Sequence, residues 1–139
     1  MASIRRETLI NASPADVWAA VRDWGALHER LAPGFVTDTR LDGADRIVTF
    51  FNGSVMREVM IDLDEGARRL AWSIVDGPYT HHNGAAQVFA DGDGRTRVVW
   101  ITDLLPNELA ERTDEMMERG LSVIKETQES RIWFRQPDA

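Results

Sequence analysis

The chain has 139 residues, no cysteine, and 16 Lys plus Arg against 23 Asp plus Glu, for a net charge of −7 at pH 7. That length suits one domain spanning residues 1–139, and the acidic balance repels phosphates and so argues against a nucleic-acid partner. Without cysteine there is no disulfide, thiolate nucleophile or Cys-ligated zinc, and MASIRRETLI has no apolar run for a signal peptide or stable membrane insertion, so a cytoplasmic protein is expected.

IRRETLI reads as a strand with Ile4, Arg6, Thr8 and Ile10 on one parity and Glu7 on the other. In NASPADVW, Ser13 is an N-cap, Pro14 fits the first helical position, and Asp16 favours the positive end of the helix dipole. Val17, Trp18, Val21 and Trp24 form the apolar face of this helix. Gly25 interrupts it, a second short helix covers residues 26–31, and Pro33-Gly34 stops the run. From Phe35 to Leu105, turn signals at Asp42-Gly43, Asn52-Gly53, Asp64-Glu65-Gly66, Gly77-Pro78 and Asp91-Gly92-Asp93-Gly94 leave six segments of strand length, an antiparallel meander.

After Pro106 a long helix carries Leu109, Thr113, Met116, Met117, Gly120, Leu121, Val123 and Ile124 on one stripe and mostly acidic residues on the other side. The element order has a direct physical solution. It is an α+β fold in which a curved antiparallel seven-stranded sheet wraps around the long C-terminal helix, with two short helices after the first strand.

INASPADVWAAVRDWGALH, the Gly77-Pro78 turn, DGDGRTRVVW and the helix after Pro106 together resemble the START-related helix-grip superfamily (SRPBCC), which includes polyketide cyclases/dehydrases and lipid-transport proteins. The resemblance covers nearly the whole chain. It implies a cavity between sheet and C-terminal helix, entered near the short helices and strand-connecting loops. In that superfamily the cavity binds lipids, sterols, polyketides, quinones or hormones, and only some members do chemistry there.

His81 and His82 are neighbours, so a strand through them points the two side chains to opposite faces. The less polar even set, His82, Gly84, Ala86, Val88 and Ala90, places His82 inside. A turn centred on Gly92-Asp93 pairs His82 with Asp103, a carboxylate that would orient a general base; a five-residue loop shifts the register by one, turning Asp103 outward and Trp100 inward. In SVMREVMIDL the parity of Val55, Arg57, Val59, Ile61 and Leu63 is the more apolar and directs Arg57 inward, where it would hold a carboxylate or enolate oxygen. The reverse parity puts Glu58 there instead.

The ligand-lining set is therefore Trp24, His28, Phe35, Arg57, Val59, Trp72, His82, Met116, Met117 and Gly120, with Phe35 and the segment from Trp24 to His28 near the mouth. Trp72, Phe35 and the methionines also suit a plain core. Gly120, costing about 1 kcal/mol against alanine inside a helix, is kept for close packing or for space. The three histidines lack metal-ligand spacing, and no GxSxG, HExxH, GxxxxGK[ST] or GxGxxG sequence occurs, so neither metal nor cofactor is expected.

Three functions fit this reading. The first is binding of a small hydrophobic molecule of lipid, polyketide, aromatic or isoprenoid type. The second is a polyketide cyclase/dehydrase-like enzyme with His82 as base, Asp103 orienting it and Arg57 stabilising enolate charge. The third is a protein-interaction module. Nothing in the sequence decides for or against a homodimer.

Overall fold

The computed structural model describes the backbone of residues 1–135 and the side chains of residues 1–131. Strand β1 (Ala2–Ile10) leads to helix α1 (Pro14–Val21), a 3-10 turn (Trp24–Ala26) and a π-helical turn (Leu27–Leu31). Six strands follow, β2 (Val36–Asp42), β3 (Asp45–Phe50), β4 (Val55–Asp64), β5 (Arg69–Val75), β6 (His81–Ala90) and β7 (Thr96–Leu105), and then the long helix α2 (Ala110–Arg135).

All neighbouring strands are antiparallel, in the order β1-β7-β6-β5-β4-β3-β2, so the chain's first strand closes one edge beside its last. The expected seven-stranded sheet around a C-terminal helix is what forms. On β1 the even residues are the more buried set, and Arg6 reaches α2, where Nε and Nη2 donate to Asp114 at 2.7 and 2.8 Å.

Local chemistry fixes the ends of α1. Ser13 Oγ accepts the Asp16 N–H at 3.2 Å and Pro14 opens the helix, as the sequence signals require. The expected second helix is split into a tight turn and a wide one. Gly25 at that point lies so close to Leu41 that an added Cβ would sit 3.1 Å from Leu41 Cδ1.

The core lies between α2 and the concave face of the sheet. Val48, Leu70, Trp72, Val88 and Val98 from the strands join Leu121 and Ile124 from the helix in one cluster, all of them buried. Each large apolar side chain removed from water here contributes about 1.5–3 kcal/mol, which accounts for the helix docking despite its acidic outer face. No helix among the described residues is long and apolar enough to cross a membrane.

Candidate functional site

A cavity of about 410 Å³ lies between α2 and the concave face. Its exposed lining residues, Asn52, Val55, Gly77, Pro78 and Arg112, all sit at one end, so the mouth is framed by the β3–β4 hairpin, the β5–β6 loop and the start of α2. The opposite end is closed by Val21, Leu31, Ala32 and Ile124, which are buried.

Two glycines let large rings form the wall. A Cβ on Gly84 would stand 2.9 Å from Trp72 Cε2, so Trp72 lies flat over β6 only because no side chain is there. A Cβ on Gly120 would stand 3.0 Å from both Phe35 Cε2 and Trp100 Cζ3. Close packing is therefore one reason for the helical glycine, and its place on the cavity wall is the other. Phe35, Trp72, Met116 and Met117 all line the space.

The β6 parity read from the small even residues is the observed one, with His81 exposed and His82 buried on the cavity wall. The register is the shifted alternative. A five-residue loop, closed by the Asp91 N–H bonding Arg95 O at 2.9 Å, pairs His82 with Leu104, Gly84 with Thr102 and Ala86 with Trp100. Asp103 consequently stands opposite Asn83 on the convex face, away from His82, and Trp100 and Thr102 take the inward places. Trp100 Nε1 and Thr102 Oγ1 are buried without a hydrogen-bond partner among the described residues.

His82 is held without a carboxylate. Its Nδ1 accepts the Ile74 N–H at 3.1 Å, which assigns the ring proton to Nε2, and the Tyr79 ring lies against it with centroids 4.9 Å apart. Tyr79 is tied in turn to α2, its hydroxyl 2.7 Å from Thr113 Oγ1. Burial first, and the His81 imidazole second, push the pKa of His82 down from 6.5 to about 4.

Because the folded pKa is depressed, the unfolded chain binds this proton first. The contribution to stability is complete above pH 6.5 and is lost as pH falls towards 4, amounting to up to about 3 kcal/mol. Urea unfolding of the wild type and His82→Gln from neutral pH downward should show their stability difference shrinking through that window. A difference independent of pH would mean that His82 titrates normally.

Arg57 and Glu58 exchange the places that the more apolar parity suggested. A β-bulge at Ile61, between the Met60–Trp72 and Asp62–Ala71 pairs, reverses the pleat, so Leu63 belongs with Glu58 rather than with Arg57. Arg57 and Val59 therefore fall on the other face from Glu58 and line no part of the cavity. Arg57 Nη2 donates to Asp42 at 2.6 Å and Nη1 to Asp45 at 2.8 Å, and these bonds raise its pKa while lowering that of Asp42.

Inside, Glu58 meets a residue that the sequence reading did not single out. Arg46 Nε donates to Glu58 Oε1 at 2.8 Å, Nη2 lies 2.7 Å from the same oxygen, and both side chains are about 5% exposed. Burial lowers the Arg46 pKa and Glu58 opposes that shift. The guanidinium carbon sits 3.7 Å from the centroid of the Trp24 ring, and Nη1 donates to Trp24 O at 3.3 Å.

Trp24 thus backs the ion pair instead of lining the mouth, its own Nε1 donating to Ala44 O at 3.1 Å. His28 also stays off the wall. It is half-buried in the π-helical turn, with Nε2 3.3 Å from Glu29 Oε1 and Nδ1 buried without a partner among the described residues. Among the described residues no three His, Asp or Glu side chains converge as a metal site would.

No curated protein matches the chain in sequence. Solved structures match it in fold. A protein from Thermobifida fusca is 27% identical, with a TM-score of 0.75 over 97% of this chain and 95% of that one. BexL, a di-domain ARO/CYC of the BE-7585A biosynthetic pathway, is 16% identical with a TM-score of 0.78, covering 98% of this chain and 48% of its own. Norcoclaurine synthase from Thalictrum flavum, solved with dopamine and hydroxybenzaldehyde, is 16% identical with a TM-score of 0.71, over 99% of this chain and 89% of that one. At the identities of the last two, the likeness is one of fold. The family described as polyketide cyclase / dehydrase and lipid transport matches residues 1–128, and with the sheet gripping α2 around a cavity the chain belongs to that family.

Proposed function

We propose that the chain binds a small, largely apolar molecule of lipid, polyketide, aromatic or isoprenoid type between α2 and the sheet. The observation that carries this reading is the cavity itself. Its wall is mostly apolar, with Phe35, Trp72, Trp100, Met116 and Met117, and its inner polar side chains are Arg46, Glu58, Tyr79, His82, Thr102 and Thr113. About 410 Å³ is within the range of small-molecule sites and holds on the order of 15–20 non-hydrogen atoms at interior packing density. The two methionines suit an irregular guest.

An enzyme that used His82, Asp103 and Arg57 together is not supported, because Asp103 faces away from the cavity and Arg57 is engaged by Asp42 and Asp45. His82 by itself offers a neutral imidazole near neutral pH, with a donor at Nε2 for a ligand oxygen. Binding of an environment-sensitive apolar dye, with native mass spectrometry of protein from its own host, tests the reading. Failure of the folded protein to take up any apolar molecule would remove it.

The histidines supply a sharper comparison. His82→Ala should weaken binding of a ligand with a polar group by about 3- to 10-fold, the worth of one hydrogen bond, while His81→Ala should leave it unchanged. Titration of both variants with the same ligand decides the matter, and equal losses would show that His82 makes no specific contact.

A further inference from the structure

One row of side chains crosses the cavity wall and specifies a hydrogen-bonding pattern. Arg46 on β3 pairs with Glu58 on β4, Glu58 pairs with Ile74 on β5, and the Ile74 N–H bonds the ring of His82 on β6. Glu58 and His82 are thus two strand spacings apart, roughly 10 Å between backbones, and both line the cavity.

The two ends of this row are complementary. Arg46 directs Nε and Nη2 to the same oxygen of Glu58, Oε1, so Oε2 accepts no bond from the described residues and remains an acceptor. His82 uses Nδ1 as an acceptor from the backbone, so Nε2 remains a donor. Charge narrows the choice further. Glu58 is neutralised by Arg46, so at that end a ligand carboxylate would face a carboxylate whose counter-ion is already engaged, with Arg112, unpaired among the described residues, out at the mouth, while a ligand ammonium reaching Glu58 would meet the guanidinium beside it.

We infer that the ligand carries an uncharged hydroxyl at one end and a carbonyl-type acceptor at the other, the hydroxyl donating to Glu58 Oε2 and the carbonyl accepting from His82 Nε2. Its body between them is flat and apolar, lying beside Trp72. This rests on the binding role proposed above and adds to it the polarity of each end and the exclusion of a charged group at the Glu58 end.

The test is a matched set of probes displacing N-phenylnaphthylamine from the intact protein: hydroxyacetonaphthone, its methyl ether, and the corresponding acetylnaphthoic acid. The hydroxyl compound should bind about 10- to 100-fold more tightly than the ether, the range for a hydrogen bond to a buried charged group, and the acid should bind least. In the Arg46→Met/Glu58→Leu double variant, dye binding should persist and the hydroxyl preference should fall to within about threefold.

Equal binding of hydroxyl and ether, tighter binding of the acid, or a preference that survives the double substitution would each overturn the inference while leaving the cavity's binding role intact. Absence of dye binding by the folded wild type would overturn both. The wild-type series stands without the variant if the variant does not fold.

Discussion

Glu58→Leu alone is expected to cost about 3–5 kcal/mol of folding stability, and Arg46→Met alone a similar amount, whereas the double substitution should recover most of either loss. Removing one partner leaves the other charge in a wall that is about 5% exposed, where water cannot solvate it. Removing both leaves apolar side chains of similar length in an apolar wall. Recovery should be incomplete, because Arg46 also stacks on Trp24 at 3.7 Å, a contact worth about 0.5–2 kcal/mol. Urea unfolding of the four proteins gives the coupling directly. Single-variant losses below about 1 kcal/mol would show a pair screened by solvent and would contradict its burial.

That pair explains where sequence reading stopped. Arg46 and Glu58 lie on different strands, so an inward Glu58 is readable as one parity of β4, whereas its partner Arg46 is set by which strand lies beside it. On β4, Ile61 adds a second obstacle. An alternation from Val55 to Leu63 presumes an unbroken pleat, and the bulge at Ile61 inverts it midway. On β6 no bulge intervenes, and the small side chains Gly84 and Ala86 marked the inner face correctly because Trp72 and Trp100 fill the space above them.

The β6–β7 register was open for a different reason. DGDG contains two Asp-Gly steps, and both Gly92 and Gly94 take positive φ, at 78° and 68°, so the turn signal is the same for either loop length. Only the pairing of Ala90 with Thr96 selects the five-residue loop and sends Asp103 outward. Element order, caps and the apolar stripe of α2 were legible because each depends on local spacing. The polar chemistry of the cavity was not, since it depends on which strands become neighbours.

Gly120→Leu is expected to abolish uptake of an apolar dye while leaving the protein folded. The Cβ alone would stand 3.0 Å from Phe35 and from Trp100, so the remaining atoms of leucine must either displace those rings or occupy the cavity that all three residues line. Overpacking of this kind costs about 1–3 kcal/mol, offset by up to about 1 kcal/mol from replacing a helical glycine. The net stability cost is thus about 0–3 kcal/mol, within what a folded domain tolerates, and binding should weaken by more than about 100-fold because a volume on the order of four non-hydrogen atoms is taken from a site for 15–20. Gly120→Ala should fall between, since one methyl group requires the rings to give only a few tenths of an ångström. Ser122→Leu on the exposed side of α2 serves as the control and should bind dye as the wild type does. If folded Gly120→Leu also retained wild-type affinity, the dye would be binding elsewhere, and the space between α2 and the sheet would not be the binding site.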